Sequence, residues 1–142
     1  MRPEQIQELV TTGVGLLVAL AVVAVVLVVL ILYLLTLQKA LNRCSPESRA
    51  MSPGLVWLML IPCFYLIWHF FVVINMAKSL GAEFKKRAIA ADEKPGQTLG
   101  LIMCICNVLS CIPFVGCVAL PAFVICFIMY WVKVAGWSKQ LA

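Results

Sequence analysis

The sequence predicts an all-α membrane protein, with four transmembrane helices in a small bundle. Three observations carry that expectation. Apolar side chains make up 64% of the 142 residues and charged ones only 12%, whereas soluble domains are roughly 45–50% apolar. The apolar residues are bunched into uninterrupted runs, and a run of about 18 or more is long enough to cross a bilayer. The charges are confined to the stretches between those runs. The chain therefore reads as one membrane domain, residues 1–142.

The first helix is predicted over 13–37. It follows a polar dozen, MRPEQIQELVTT, and is apolar but for Thr36. At about 1.5 Å per residue it reaches ~37 Å, enough to cross a ~30 Å hydrocarbon core with tilt. A cleaved signal would have an apolar region of about 7–15 residues and a small-x-small site. This run is longer and ends in LTLQKALNR, so a retained helix is expected. Ser45-Pro46-Glu47 in the following loop reads as a helix start, with Ser as N-cap and Pro at the first helical position. Ser52-Pro53 repeats the arrangement before the second run.

The second helix is predicted over 53–77, kinked at Pro62. There the chain loses one backbone hydrogen bond and the ring crowds the carbonyl of Leu58. Trp57, Phe64, Trp68, Phe71, Asn75 and Lys78 recur at three- and four-residue steps, an aromatic stripe ending in polar groups. Trp57, Phe64, Trp68, Phe71 and Asn75 are the candidate helix-contact or partner face. Tyr65 and His69 lie one turn apart on another face, where they can hydrogen-bond. The spacing of Leu80, Phe84 and Ala88 carries the helix beyond the apolar run into a basic segment, 78–98. Lys85, Lys86 and Arg87 form a juxtamembrane cluster suited to anionic lipid headgroups, at about 1 kcal/mol per charge. Asp92-Glu93-Lys94-Pro95-Gly96 is expected to end the helix.

From Leu99 to Val132 the chain is apolar for a length that one helix would stretch to ~51 Å. Ser110-Cys111-Ile112-Pro113-Phe114-Val115-Gly116 is a turn signal within it, so two helices are predicted, a short third over 99–111 and a fourth over 117–137. Gly100, Cys104, Asn107 and Cys111 make a seam of small and polar residues on the third; Ala119, Ala122 and Cys126 make one on the fourth. Small faces let backbones approach closely in lipid, and Asn can bond across the contact. Tyr130, Trp131, Lys133 and Trp137 mark an interface. A weak echo links the two halves: Ile61-Pro62 and Ile112-Pro113 each separate a shorter segment from a longer helix.

Topology evidence conflicts. With four spans, Arg2, the 78–98 segment and the C-terminus share the more basic side, so both termini would be cytoplasmic. The first helix alone argues the reverse, because Lys39, Arg43 and Arg49 follow it and only Arg2 precedes it. A re-entrant hairpin with its tip at Ile61-Pro62-Cys63 would reconcile the two. Leu55–Ile61 is only ~10 Å long as an α-helix, however, and a broken backbone in lipid needs cover. Four spans are the expectation.

The chemistry narrows the function classes. None of the six acidic residues lies in an apolar run, whereas ion-coupled transport needs a membrane-embedded acid or base. The first helix lacks the acidic residue on which small four-helix multidrug exporters rely. Seven Cys include no C-x-x-C pair, and Cys104-x-Cys106 turns its thiols to different sides of a helix, so packing is expected. No HExxH, GxSxG or Walker motif occurs. Catalytic residues, metal ligands and cofactors are all read as none. The +5 net charge fits cytoplasmic flanks better than nucleic acid. Tyr65, His69 and Asn107 are the candidate buried polar groups, read as helix-contact hydrogen bonders.

The segments SPGLVWLMLIPCFYLIWHFFVVINMAKSL and GLIMCICNVLSCIPFVGC…YWVKVAGWS resemble a class of small, uncharacterised bacterial multi-pass inner-membrane proteins. In that class a short apolar helix, a break and a longer Trp-bearing helix recur. The resemblance spans about residues 52–142 and implies a bacterial cytoplasmic (inner) membrane setting but no activity. The expected role is a non-catalytic scaffold, accessory subunit or partner-binding protein. Its partners would be a bilayer with anionic headgroups and a membrane protein or a second copy. The alternative is an oligomeric pore lined by Asn75, Asn107 and His69.

Overall fold

A computed structural model describes residues 1–89 and 95–141. The described residues are all-helical, with three helices long and apolar enough to cross a membrane. These are α1 (Pro3–Arg43, 41 residues), α2 (Pro62–Lys86, 25 residues) and α4 (Pro113–Gln140, 28 residues). Between them lie a 3-10 helix (Pro53–Leu60) and the 13-residue α3 (Gln97–Leu109). The chain divides into two compact units, Met1–Tyr33 and Leu34–Ala142. In the first unit α1 is apolar all round from Gly13 to Leu32, as befits a helix solvated by lipid.

The predicted kink at Pro62 is instead a break. Ile61 is extended, with φ −78° and ψ 117°, and Pro62 takes the first helical position of a new helix. The physical reason is that a proline's missing N–H costs nothing at that position, whereas in a helix interior it removes a bond. Before the break the chain winds as a 3-10 helix. At three residues per turn, Val56 and Met59 fall on one face, and both are buried. The predicted helix start at Ser45-Pro46-Glu47 is also corrected. Residues 45–48 form a turn closed by Ser48 N–H to Ser45 C=O at 2.9 Å. The Ser45 side chain serves another partner, described below.

α2 does run past the apolar stretch, to Lys86, and ends in a Schellman motif. Ile89 N–H reaches back to Phe84 C=O at 2.9 Å and Ala88 N–H to Lys85 C=O at 3.2 Å. This requires a left-handed residue, and Ala88 supplies it with φ 56°. Asp92, Glu93 and Lys94 lie outside the described residues.

The second half repeats the punctuation of the first. Ile112 is extended (φ −88°, ψ 125°) and Pro113 opens α4. α3 packs on both α2 and α4, and the 3-10 helix packs on α2. Gly100 makes the three-helix contact possible: a Cβ there would collide with Val73 of α2 and lie 3.1 Å from the Tyr130 ring of α4. At the turn, Gly116 lets the Ser110 carbonyl approach to 2.7 Å of where a Cβ would stand. The core of this unit gathers Leu34, Leu37 and Leu41 of α1, Val72, Met76, Leu80 and Phe84 of α2, and Tyr130 and Val134 of α4. α1 and α4 are parallel here. Trp131 Nε1 donates to Thr36 Oγ1 at 2.9 Å and Arg43 Nη1 to Ser138 C=O at 2.6 Å. Both contacts join residues 95 apart, two helical turns from one another.

Candidate functional site

Two places concentrate the polar and aromatic chemistry. The first is the aromatic stripe. Phe64 and Trp68 stack with ring centroids 4.9 Å apart, and Trp68 and Phe71 at 4.4 Å. Trp68 Nε1 donates to Leu55 C=O at 2.9 Å, and Trp57 Nε1 to Gln38 Oε1 at 2.9 Å. The two indoles therefore fasten the 3-10 helix to α2 on one side and to α1 on the other. Asn75, mostly buried, donates to Phe71 C=O at 2.8 Å within its own helix. Of the five residues predicted as a partner face, only Phe64 and Phe71 are exposed, joined by Ile67 at 73%.

Of the candidate buried polar residues, Tyr65 and His69 lie side by side on α2 and Asn107 is on α3. His69 is fully buried, and its ring packs against Tyr65 at 5.3 Å in a tilted arrangement. α2 and α3 meet instead where Gly100 lies against Val73. Of the predicted small-residue seam, Gly100 and Cys104 are buried and Asn107 is half-buried on α3, whereas Cys111 lies beyond the end of that helix and is exposed. On α4, Ala119 is buried while Ala122 and Cys126 are half-buried.

The second place is a polar clasp where α1, α2 and α4 end. Glu83, 2% exposed, is its centre. One carboxylate oxygen accepts from Ser45 N–H at 3.0 Å and from Ser45 Oγ at 2.8 Å. The other accepts from Arg87 Nε at 2.8 Å. The Arg87 guanidinium then donates to Leu141 C=O at 2.9 Å and to Arg43 C=O at 3.2 Å. Lys86 reaches Ser45 Oγ at 3.0 Å and Glu47 at 2.6 Å.

The arginines of the clasp satisfy helix ends. A helix leaves its last four carbonyls without an internal partner. In α1 those of Ala40 and Leu41 accept from Cys44 N–H. Arg49 Nε donates to Leu41 C=O at 2.8 Å and Arg49 Nη2 to Asn42 C=O at 3.0 Å. Arg43 C=O is taken by Arg87, and Arg43 itself donates to Ser138 of α4. Positive charge at a helix C-terminus is also favoured by the helix dipole. Sequence reasoning missed this role, because a loop arginine announces its charge but not the carbonyls it will meet.

The basic cluster is thus divided. Lys85 is exposed, Lys86 is paired with Glu47, and Arg87 is spent on Glu83 and two helix ends. The Lys86–Glu47 pair lies in solvent, at 53% and 78% exposure, where water screens it and it adds little to stability. The same pairing holds the Glu47 carboxyl below the usual range. Cys44, under the clasp, is buried and its thiol is pushed up to about 11, first by burial and then by the Glu83 carboxylate. No group of metal-holding side chains occurs among the described residues. No family model matches the chain, and neither a curated protein nor a solved structure matches it.

Proposed function

We propose that the chain is a non-catalytic integral protein of the bacterial cytoplasmic membrane, acting as a scaffold or accessory subunit through contact with a second membrane-spanning helix. The observation that supports this is the exposed ladder of Phe64, Ile67 and Phe71 on α2. Its rings are held rigid from behind, since Trp68 stacks between the two phenylalanines while its indole N–H is tied to Leu55. Aromatic side chains whose rotamers are already fixed lose little entropy on docking, which suits them as contact anchors. The polar residues of the same stripe are turned to intramolecular bonds. Contact, not chemistry, is what this face offers.

Replacing Phe64 and Phe71 by Ala together tests the reading, because neither carries a hydrogen bond that holds the fold. The complex recovered in mild detergent should fall to the size of the lone chain, with its helicity and melting temperature little changed. Unchanged size on native gels would sink the proposal.

A further inference from the structure

We infer that the chain crosses the membrane once, through α1, and that the 3-10 helix with α2, and α3 with α4, are two re-entrant hairpins entering and leaving on one side. Four single crossings would place residues 44–52 and residues 87–96 on opposite sides of the bilayer. The clasp forbids this. Ser45 follows α1 directly, yet its backbone and hydroxyl are bound to Glu83 and Lys86 near the end of α2 at 2.8–3.0 Å. Groups in hydrogen-bonding contact cannot lie on opposite sides of a ~30 Å core. Ala50 N–H likewise reaches Ser79 Oγ at 2.8 Å. The end of α4 belongs to the same side, through Arg43 to Ser138 and Arg87 to Leu141. So does the start of α3, where Gly96 sits against Trp137.

The two tips are built to stay in lipid. No charged residue occurs from Ala50 to Ala77 or from Gln97 to Val132. A backbone break at membrane depth is costly unless its polar groups are satisfied. At the first tip Ile61 N–H bonds Leu58 C=O at 3.2 Å and Ile61 C=O accepts from Tyr65 N–H at 2.9 Å, while Pro62 carries no donor. At the second, Cys111 N–H bonds Val108 C=O at 3.1 Å and Ile112 N–H bonds Leu109 C=O at 3.0 Å. Gly116 N–H bonds Ile112 C=O at 2.7 Å, Ser110 Oγ bonds Asn107 C=O at 2.6 Å, and Pro113 again removes a donor. The short arm is also deeper than an α-helix of its length. At about 2.0 Å per residue the 3-10 helix spans ~16 Å, where eight α-helical residues would span ~12 Å.

The arrangement resolves the charge conflict. Lys39, Arg43, Arg49, Lys78, Lys85, Lys86, Arg87, Lys133 and Lys139 all fall on one side, and Arg2 falls across the apolar run of α1. Both the overall balance and the flanks of the first helix then obey the positive-inside rule.

Native lysines report the difference. Sealed membrane vesicles of each orientation, treated with an impermeant amine-acylating reagent and mapped by mass spectrometry, should show Lys39, Lys85 and Lys139 modified from the same face. An Asn42→Lys variant, at an exposed site, should add a modified position on that face. A Gln5→Lys variant should be modified only from the opposite face. Modification of Lys39 or of the Asn42→Lys side chain from the face opposite Lys85 would restore four crossings and overturn the inference. Modification of the Gln5→Lys side chain from the same face as Lys85 would overturn the single crossing.

Discussion

Glu83 accepts both the backbone N–H and the hydroxyl of Ser45, at 3.0 and 2.8 Å, joining the end of α2 to the residue that follows α1. A carboxylate that takes two bonds from one residue fixes that residue's position and orientation. Because Arg87 neutralises the other oxygen, the charge is tolerated at 2% exposure. Removing one partner of such a buried, charge-assisted set costs about 1.5–3 kcal/mol. Glu83→Ala is therefore expected to lower the melting temperature in detergent markedly, and Ser45→Ala less, since the backbone N–H remains. The double variant should lose less than the sum, because both changes delete the same bond. Strict additivity would show that the clasp does not couple the two helices.

Gly100 is the point at which α3 enters between α2 and α4. A Cβ there collides with Val73, and overpacking of this kind costs about 1–3 kcal/mol. Gly100→Ala should destabilise the folded protein in a thermal melt, and Val73→Ala introduced with it should recover part of the loss. A neutral Gly100→Ala variant would show that α3 packs elsewhere.

How much of this was open to the sequence depends on the interaction. The Ile-Pro punctuation was legible twice, because a proline inside an apolar run must either kink a helix or start one. Which of the two occurs was not legible at Pro62. The choice depends on whether residues 53–60 can bury a three-residue repeat, Val56 and Met59, against a neighbour the sequence does not name. The aromatic stripe was legible as a period. Its division into fasteners, Trp57 and Trp68, and exposed rings, Phe64 and Phe71, came from which carbonyl or amide each indole met. The clasp was hidden for a similar reason. Glu83, Ser45 and Arg87 are ordinary loop and helix-end residues until three helix ends meet.

Ala88 holds a left-handed conformation, φ 56°, in the Schellman motif that ends α2. A Cβ in that region costs about 1–2 kcal/mol, which glycine avoids. Glycine also loses more chain entropy on folding, which offsets part of the gain. Ala88→Gly should stabilise the protein by about 1 kcal/mol, read as a raised melting temperature. A lowered one would mean that α2 continues through Ala88 in solution.

Trp68→Phe separates the two roles of that side chain. The ring can still stack between Phe64 and Phe71, but the bond from Nε1 to Leu55 C=O is lost. The expected cost is about 0.5–1.5 kcal/mol. Hydrogen exchange should quicken in residues 53–60 before it does in α3 or α4, since the indole ties the short arm to α2. Uniform quickening across all helices would contradict a local fastening role.

Cys44 gives a pH signature. Its Sγ donates to Ser79 C=O at 3.8 Å, and its thiol is pushed up from 9.0 to about 11 by burial and by Glu83. The folded state thus holds the proton more tightly than the unfolded state. The stability this represents is complete below pH 9 and is lost as the pH rises from about 9 towards 11. Thermal melts across that window should show wild type losing stability faster than Cys44→Ala, which has no thiol to titrate. In the folded protein at pH 8, Cys44 should resist iodoacetamide and become reactive only after denaturation, because alkylation requires the thiolate. Equal pH slopes for wild type and Cys44→Ala, together with ready alkylation of the folded chain, would place the thiol in solvent and open the clasp above it.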